Sequence, residues 1–248
     1  MLDESGSLDN KTYADIVGWE IRREIMTELE GVGITPLTAH HERAPSQHEI
    51  TFRHDDAVRS CDNLVLAKLV IESVATRYGL TAIFDPKPFD GVNGSGLHTN
   101  ISLWENGKNI FAGVADLSDT AKHFMAGVLT HAQALSFITN PTEGSYRRLV
   151  MGYEAPSTIT WGNYDRTSMI RIPLSCGNST RLEIRTPDNT MNPYVGVAAI
   201  VRAGMDGISK KLPPPPIDDA VLPVSLSEAR QEFHKSELFS DLLHNIAL

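Results

Sequence analysis

The sequence contains little cysteine and no long apolar run. Its two cysteines, Cys61 and Cys176, are too few for a disulfide framework, and their separation does not fit a metal-binding pair. No apolar segment approaches the length needed to cross a membrane. The first ten residues, MLDESGSLDN, are acidic and polar, unlike a secretory signal. These features predict a cytoplasmic protein that does not insert into membranes.

Positive charge is also scarce. The 248 residues carry a formal net charge of −9 at pH 7, which disfavours binding along a nucleic-acid backbone. Clusters of lysine or arginine are therefore expected to bind a small anionic ligand. The sequence also lacks a Walker A motif and a dinucleotide-binding fingerprint, so a nucleotide would have to be held by other residues.

A hydrophobic content of 41% is ordinary for a soluble protein with a packed core. Apolar residues at helical spacing, with caps and glycine stops, predict helices at residues 17–29, 56–78, 118–138 and 193–209. In the second of these helices, Val65, Leu69 and Val74 are predicted to face inward. Other segments predict strands at residues 34–42, 49–53, 80–84, 97–104, 109–112, 157–161, 168–173 and 181–185.

Neighbouring strands joined by tight turns, such as the turn at residues 105–107, favour an α+β fold. We expect a mostly antiparallel sheet flanked by long helices rather than a doubly wound parallel sheet. The prolines at 213–216 predict a rigid connector, and residues 225–243 predict one or two short surface helices. Residues 212–248 are therefore expected to form a Pro-rich connector and a C-terminal helical extension.

Two carboxylates lie near the ends of two predicted strands that flank a polar turn. Glu42 and Glu49 belong to the segment HHERAPSQHEI, residues 40–50. Oxygen ligands of this kind suit Mg²⁺ or Mn²⁺. The alternative is that both are solvated charges at a sheet edge, as most surface carboxylates are.

A glycine-rich segment precedes another predicted strand. Three glycines within residues 91–96 allow a tight turn and a close approach between the backbone and a ligand. In the strand that follows, His98, Asn100 and Ser102 alternate onto one face. His98 suits contact with a metal ion or a phosphate, although a single histidine is more often structural.

Arginines concentrate around a third segment. Arg181 and Arg185 flank Glu183 on one face of a predicted strand, Arg171 lies on a neighbouring predicted strand, and Arg166 precedes it. Guanidinium groups bind phosphate and carboxylate, and they stabilise charge on a transferring phosphoryl group. The alternative is a structural ladder of ion pairs on a solvated sheet face.

A fourth segment, SYRRLVMGYEAP at residues 145–156, contains Arg148 and Glu154. Gly152 and Pro156 mark it as a loop. The two charged side chains could flank a small zwitterion such as an amino acid. The alternative is an ordinary charged surface loop.

Taken together and in order, these segments resemble the catalytic domain of glutamine synthetase. HHERAPSQHEI resembles the metal segment of that family, PKPFDGVNGSGLHTN its glutamate- and metal-binding loop, and SYRRLVMGYEAP its flap. NYDRTSMIRIP and RLEIRTPDNTMNPY resemble its nucleotide and arginine segments. The resemblance runs from about residue 19 to residue 211 and implies the α+β fold of the family, which is related to that of the guanidino kinases.

The resemblance implies a role for each polar group described above. The implied metal ligands are Glu42 and Glu49 for one ion and His98 and Glu183 for another. The implied substrate-binding residues are Asn93, Gly94, Arg148, Glu154 and Arg185. The implied nucleotide-binding residues are Asn100, Ser102, Arg166, Arg171 and Arg181. Catalytic roles are implied for Glu154, Arg166 and Arg185.

The implied reaction joins ammonium to L-glutamate at the expense of ATP, with Mg²⁺ or Mn²⁺ as cofactor. A carboxylate is a poor electrophile, so ATP first converts it to γ-glutamyl phosphate, and cations neutralise the charge that builds up. Ammonium must then lose a proton, which is the role implied for Glu154. The resemblance also implies a homo-oligomer built from hexameric rings, usually stacked in pairs as a dodecamer.

The sequence departs from the family pattern at its start. The family has an N-terminal β-grasp domain and then a strand with two further metal-binding glutamates, and neither is recognisable in residues 1–13. An aspartate that the N-terminal domain of a neighbouring subunit supplies is missing too. Met151 also replaces the usual proline of the flap. We therefore expect residues 1–248 to be a truncated catalytic domain with little or no ligase activity alone.

Two alternative functions remain open. One is a related ligase that joins glutamate to an amine or polyamine instead of ammonia. The other is a non-catalytic relative that binds nucleotide or serves as an assembly subunit, although the implied ligand residues are all retained. A guanidino kinase is disfavoured because such kinases lack the segments NGSGLHTN and MGYEAP.

Overall fold

The computed structural model describes residues 16–114, 116–216 and 220–240. The chain divides into two compact units. The first unit is formed by Met1–Phe84 and Pro88–Asn93, and the second by Asp85–Lys87 and Gly94–Leu248. Among the described residues, no helix is long and apolar enough to cross a membrane.

Within its described residues, the first unit contains two helices and one hairpin. Its elements are α1 (Ile16–Gly31), β1 (Pro36–His41), β2 (His48–Phe52) and α2 (Ala57–Arg77). Strands β1 and β2 pair antiparallel, as predicted. Helix α2 begins where the side chain of Asp56 accepts hydrogen bonds from the amides of Val58 and Arg59.

The buried face of α2 differs from the predicted one. Val74 is fully buried in a cluster with residues of α1, but Val65 is 41% exposed and Leu69 is 58% exposed. The prediction was wrong for these two residues. Apolar side chains lie around more of the surface of α2 than the neighbouring elements bury. Helical spacing gives the period of a buried stripe, but it does not identify the side that a neighbour covers.

The second unit is built on a four-stranded sheet with the order β3-β8-β7-β6. Its strands are β3 (Thr99–Ile101), β6 (Trp161–Asn163), β7 (Ile170–Ile172) and β8 (Leu182–Ile184). The β3-β8 and β8-β7 pairs are antiparallel and the β7-β6 pair is parallel. A separate hairpin pairs β4 (Trp104–Glu105) with β5 (Lys108–Asn109). Its turn residues Asn106 and Gly107 both have positive φ, which is typical of the predicted Asn-Gly turn.

Helices cover this sheet and supply most of the core. They are α3 (Asp119–Thr130), α4 (Ala132–Thr139), α5 (Glu143–Arg148), α6 (Pro193–Lys210) and α7 (Leu226–Lys235). Phe124 of α3, Ile200 of α6 and Ile184 of β8 belong to one buried cluster. The result is a mostly antiparallel α+β fold, as predicted, and the prolines at 213–216 lie in irregular backbone.

Three predicted strands overlap the observed ones only in part: residues 97–104 form β3 and the start of β4, residues 109–112 contribute only Asn109 to β5, and residues 157–161 contribute only Trp161 to β6. Two predicted elements differ further. Residues 80–84 form no strand, because no segment of the described chain pairs with them. The helix predicted over residues 118–138 begins after Ser118, as expected, but it is interrupted at His131. His131 closes α3, and α4 starts at Ala132, an interruption that the local sequence does not signal.

Helices α3 and α6 approach so closely that glycine is required at their contact. A Cβ atom on Gly127 would lie 2.2 Å from the carbonyl oxygen of Ala203 and 2.8 Å from Cα of Gly207. Both contacts are with backbone, which cannot rotate away as a side chain can. The α3-α6 packing therefore depends on these small residues.

We predict that Gly127→Ala lowers the free energy of unfolding by about 3 kcal/mol or more, since the methyl group would force the two helices apart. Urea denaturation measures this. Gly31→Ala is the matched control, because a Cβ atom at Gly31 meets no atom within 4 Å. Equal stability of the two variants would contradict this account of the packing.

Candidate active site

The register of the central strands brings polar residues into one row. Glu183 of β8 lies opposite Asn100 of β3 on one side and opposite Arg171 of β7 on the other. Opposed residues in a sheet project from the same face, and so do residues two apart along a strand. Arg181 and Arg185 therefore share the face of Glu183, as the alternation in the sequence predicted.

Glu183 is the centre of this row and is only 4% exposed. Its Oε1 atom lies 2.7 Å from Nη1 of Arg185 and 3.1 Å from Nδ1 of His98. Its Oε2 atom lies 2.5 Å from Nε of Arg171, in an ion pair that does not have hydrogen-bond geometry. Burial raises the pKa of Glu183, but His98, Arg185 and Arg171 outweigh it and lower the pKa to about 2. The carboxylate is therefore ionised at neutral pH.

Arg185 is buried as deeply as its partner, at 4% exposure. Its Nη1 donates to Glu183, and its Nη2 donates to the backbone carbonyl of Glu154 at 3.2 Å. Burial lowers the pKa of Arg185, and Glu183 opposes that effect. Among the described residues, Nε of Arg185 is buried without a hydrogen-bond partner. A buried donor of this kind fits a site that receives a ligand.

His98 lies beside this pair, just before β3. Burial lowers the pKa of His98, and the charges of Arg185 and Arg148 add to the effect, while Glu183 opposes it. A neutral imidazole retains a nitrogen lone pair and can bind a metal ion. A Cβ atom on Gly96 would lie 3.0 Å from Nε2 of His98, so the glycine-rich segment allows this ring its position.

Arg148, at the end of α5, is 2% exposed. Its two terminal nitrogens donate to the backbone carbonyls of Thr186 at 2.7 Å and Arg185 at 2.8 Å. Burial lowers the pKa of Arg148 to about 10, although the carboxylate of Asp188 opposes the shift. These contacts hold the segment that carries Arg185, and the role in binding glutamate stays a prediction.

Several other predicted residues lie nearer to solvent. Arg181 donates from Nε to Oδ1 of Asn100 at 2.9 Å, and Ser102 accepts a hydrogen bond from the indole of Trp104. The side chain of Arg166 is 62% exposed, and its Nη1 lies 3.9 Å from Oε1 of Glu154. The predicted nucleotide residues thus include partly free guanidinium groups that a phosphate could engage.

Glu154 has an unusual backbone conformation, with φ of 54°. This left-handed region is unfavourable for residues other than glycine by roughly 1 kcal/mol or more. The hydrogen bond from Arg185 to its carbonyl helps to hold it there. Strain of this kind is concentrated at functional sites, which agrees with the role implied for Glu154.

In the first unit, the β1-β2 hairpin gathers three possible metal ligands. His40 pairs with Glu49 across the hairpin, and Nε2 of His40 lies 2.7 Å from Oε1 of Glu42. One ligand atom of each residue lies within 4.8 Å of the others. Two carboxylates and an imidazole are a donor set that fits a divalent cation. Glu42 and Glu49 were predicted, and Asn93 of the same unit lies half-buried in an irregular segment.

Two residues, His40 of the first unit and Asp188 of the second, were not predicted from the sequence. His40 joins the metal group, and its position two residues before Glu42 on a strand was the available signal. Asp188 is fully buried, and it accepts hydrogen bonds from Asn140 at 3.0 Å and from the amide of Thr190 at 2.9 Å. This network fixes the chain just after β8, and no local pattern pointed to it.

The sequence of this chain matches a known protein family over nearly its whole length. The family model for the glutamine synthetase catalytic domain matches residues 10–247. The chain belongs to the glutamine synthetase catalytic-domain family. It is 45% identical to a glutamine synthetase of Thermococcus kodakarensis, over 95% of this chain and 58% of the relative. It is also 45% identical to one of Thermotoga maritima, over 98% of this chain and 59% of the relative.

Solved glutamine synthetase-type structures have the same fold. A complex of GmaS with ADP superposes with a TM-score of 0.86 at 36% identity, over 94% of this chain and 58% of that one. The glutamine synthetase of Plasmodium falciparum gives a TM-score of 0.88 at 29% identity, over 94% of this chain and 56% of that one. The chain thus spans little more than half the length of these proteins.

We predict that Glu183→Gln lowers the free energy of unfolding by about 3 kcal/mol, because the buried guanidinium group of Arg185 loses its counter-charge. Urea denaturation measures the loss. Glu232→Gln is the control, since Glu232 pairs with Lys235 on the exposed face of α7 and should change stability by less than about 0.5 kcal/mol. A similar effect in both variants would contradict the central role of Glu183.

We also predict that the chain binds Mn²⁺ through the hairpin group, and that His40→Ala weakens binding by about tenfold or more. Calorimetric titration with Mn²⁺ measures the affinity. Glu42→Gln should weaken binding as well, whereas His234→Ala, at an exposed histidine of α7, should leave it unchanged. If His40→Ala binds as tightly as the unmodified chain, His40 is not a ligand.

Proposed function

We propose that this chain carries catalytic residues for the ATP-dependent ligation of ammonia to the side-chain carboxylate of L-glutamate, through γ-glutamyl phosphate. The observation that supports the proposal most is the row around Glu183, in which Arg171, Arg181 and Arg185 project from one sheet face with His98 beside them. A concentration of fixed positive charge around one carboxylate suits the transfer of a phosphoryl group.

The arginines would act on the anionic parts of the substrates. Arg166 and Arg181 have exposed or partly exposed guanidinium groups that can donate to ATP phosphates. Arg171 and Arg185 are held by Glu183, so their charges are in place before the substrate arrives. Fixed donors of this kind stabilise developing charge without reorganisation during the reaction.

Divalent cations complete the proposal. Glu42, Glu49 and His40 in the first unit, and His98 with Glu183 in the second, have the donor types that would hold Mg²⁺ or Mn²⁺. When bound, such ions neutralise phosphate charge and polarise the transferring group. Of these residues, Glu42, Glu49, His98 and Glu183 are those whose metal-binding role the family resemblance implies.

Glu154 is proposed to receive the proton of ammonium. Its carboxylate lies on the loop of residues 149–156, half-buried, with Arg166 at 3.9 Å. A carboxylate attracts the small cation and can then accept its proton, which leaves ammonia able to attack the acyl phosphate. Residues of this loop would also keep water from hydrolysing that intermediate. Asn93 and Gly94 are proposed to contact the amino group of glutamate.

The acceptor and the assembly are parts of the same proposal. A carboxylate at the acceptor position favours ammonium over a bulky amine, although an amine-accepting relative would use the same ATP and glutamate residues. Calorimetric titration with ammonium or with methylamine, in the presence of ATP, Mg²⁺ and glutamate, distinguishes the two without requiring turnover. Assembly into hexameric rings and a cytoplasmic location stay predictions of the sequence.

The proposal is tested by calorimetric titration of the chain with ATP in the presence of Mg²⁺ or Mn²⁺. We expect metal-dependent binding, and we expect Arg166→Ala to weaken it about tenfold because a charge-assisted contact with phosphate is lost. Arg59→Ala, at an exposed arginine near the start of α2, is the matched control. Absence of ATP binding with either metal would overturn the proposal for this chain.

A further inference from the structure

We infer that Lys87 is a positioning residue that fixes the tip of the loop at residues 149–156, named here the flap loop. The inference deepens the proposed function, because this loop carries Glu154. The ammonium group of Lys87 lies 3.9 Å from the ring centroid of Tyr153, and Lys87 is only 5% exposed. A buried lysine over an aromatic face forms a strong cation-π contact, since little water competes for its charge.

The backbone of Lys87 is fixed independently of this contact. The carbonyl of Pro86 accepts a hydrogen bond from the amide of Ser95 at 2.9 Å, and the carbonyl of Lys87 accepts one from Nη2 of Arg147 at 3.4 Å. A Cβ atom on Gly94 would lie 2.4 Å from the Pro86 carbonyl, so the two segments touch directly. The side chain of Lys87 therefore extends from a rigid base toward the flap loop.

The tip of the flap loop is a turn with an unusual backbone conformation. Gly152 has φ of 98° and Glu154 has φ of 54°, while Met151 is 82% exposed. The turn at residues 151–154 sets the local shape of the tip, but contacts from outside the turn set its place against the rest of the second unit. The ring of Tyr153 against Lys87, and the carbonyl of Glu154 against Arg185, therefore position the tip.

Removal of the charge should release one of these two anchors. Methionine has nearly the same length and flexibility as lysine but no cation for the ring of Tyr153. A desolvated cation-π contact corresponds to roughly a tenfold change in an equilibrium. We expect the open population of the flap loop to rise by about that factor in Lys87→Met.

A glutamate-specific protease measures this opening directly, because the bond after Glu154 lies in the flap loop. In native digests of the chain, we expect Lys87→Met to be cleaved there about ten times faster than the unmodified chain, and Lys87→Arg, which retains a cation, to be cleaved at nearly the original rate. Lys68→Met is the matched control, since it removes a cation-π contact with Phe84 in the first unit.

Global destabilisation is separated from local opening in the same digest. Glu183 is buried in β8, so cleavage after it requires unfolding of the second unit. The inference predicts a selective increase at Glu154, and it predicts that Tyr153→Leu has the same effect and adds nothing to Lys87→Met. Unchanged cleavage at Glu154, equal increases at both bonds, additive effects, or failure of Lys87→Arg to restore protection would each overturn it.

Ligands separate this inference from the proposed function. ATP, Mg²⁺ and glutamate together should slow cleavage after Glu154 in the unmodified chain, and slow it less in Lys87→Met. If the ligands slow nothing in the unmodified chain, the result counts against the proposed function. The ligand-free digests then still decide whether Lys87 holds the flap loop.

Discussion

The buried carboxylate of Glu183 is the group on which the rest of the candidate site depends. A charge in the protein interior is unfavourable unless opposite charges and hydrogen bonds surround it. The sheet order provides these partners, because β8 lies between the strand that His98 precedes and the strand that carries Arg171. The electrostatics of the site are therefore set by strand register, which is rigid, and not by mobile loops.

The second constraint on the site is that the side chain of Arg148 lies directly against the backbone of the glycine-rich segment. A Cβ atom on Gly94 would lie 2.9 Å from Cγ of Arg148, and one on Gly96 would lie 2.6 Å from its Nη2. Because these glycines leave room, Arg148 can reach the carbonyls of Arg185 and Thr186 and join α5 to the end of β8. The glycine-rich segment, which predicts contact with a ligand, thus also allows Arg148 to pack against the chain just after β8.

The sequence predicted features whose causes are local. Helix α6 starts where Asn192 caps it and Pro193 occupies its first turn, and the alternation of charge around Glu183 identified the polar face of β8. The interruption at His131 and the unpaired segment at residues 80–84 depend on contacts with distant parts of the chain. The same is true of His40, whose grouping with two glutamates requires the pairing of β1 and β2.

The guanidinium group of Arg185 links the residues proposed for phosphate and metal to the loop proposed for ammonium. Nη1 of Arg185 binds Glu183, which belongs to the row proposed for phosphate and metal, and Nη2 binds the carbonyl of Glu154, on the loop proposed for ammonium. A guanidinium group is rigid, so its two contacts cannot move independently. The strained backbone of Glu154 is therefore held in part by Arg185, which also neutralises the buried charge of Glu183, so the position of Glu154 depends on that buried charge.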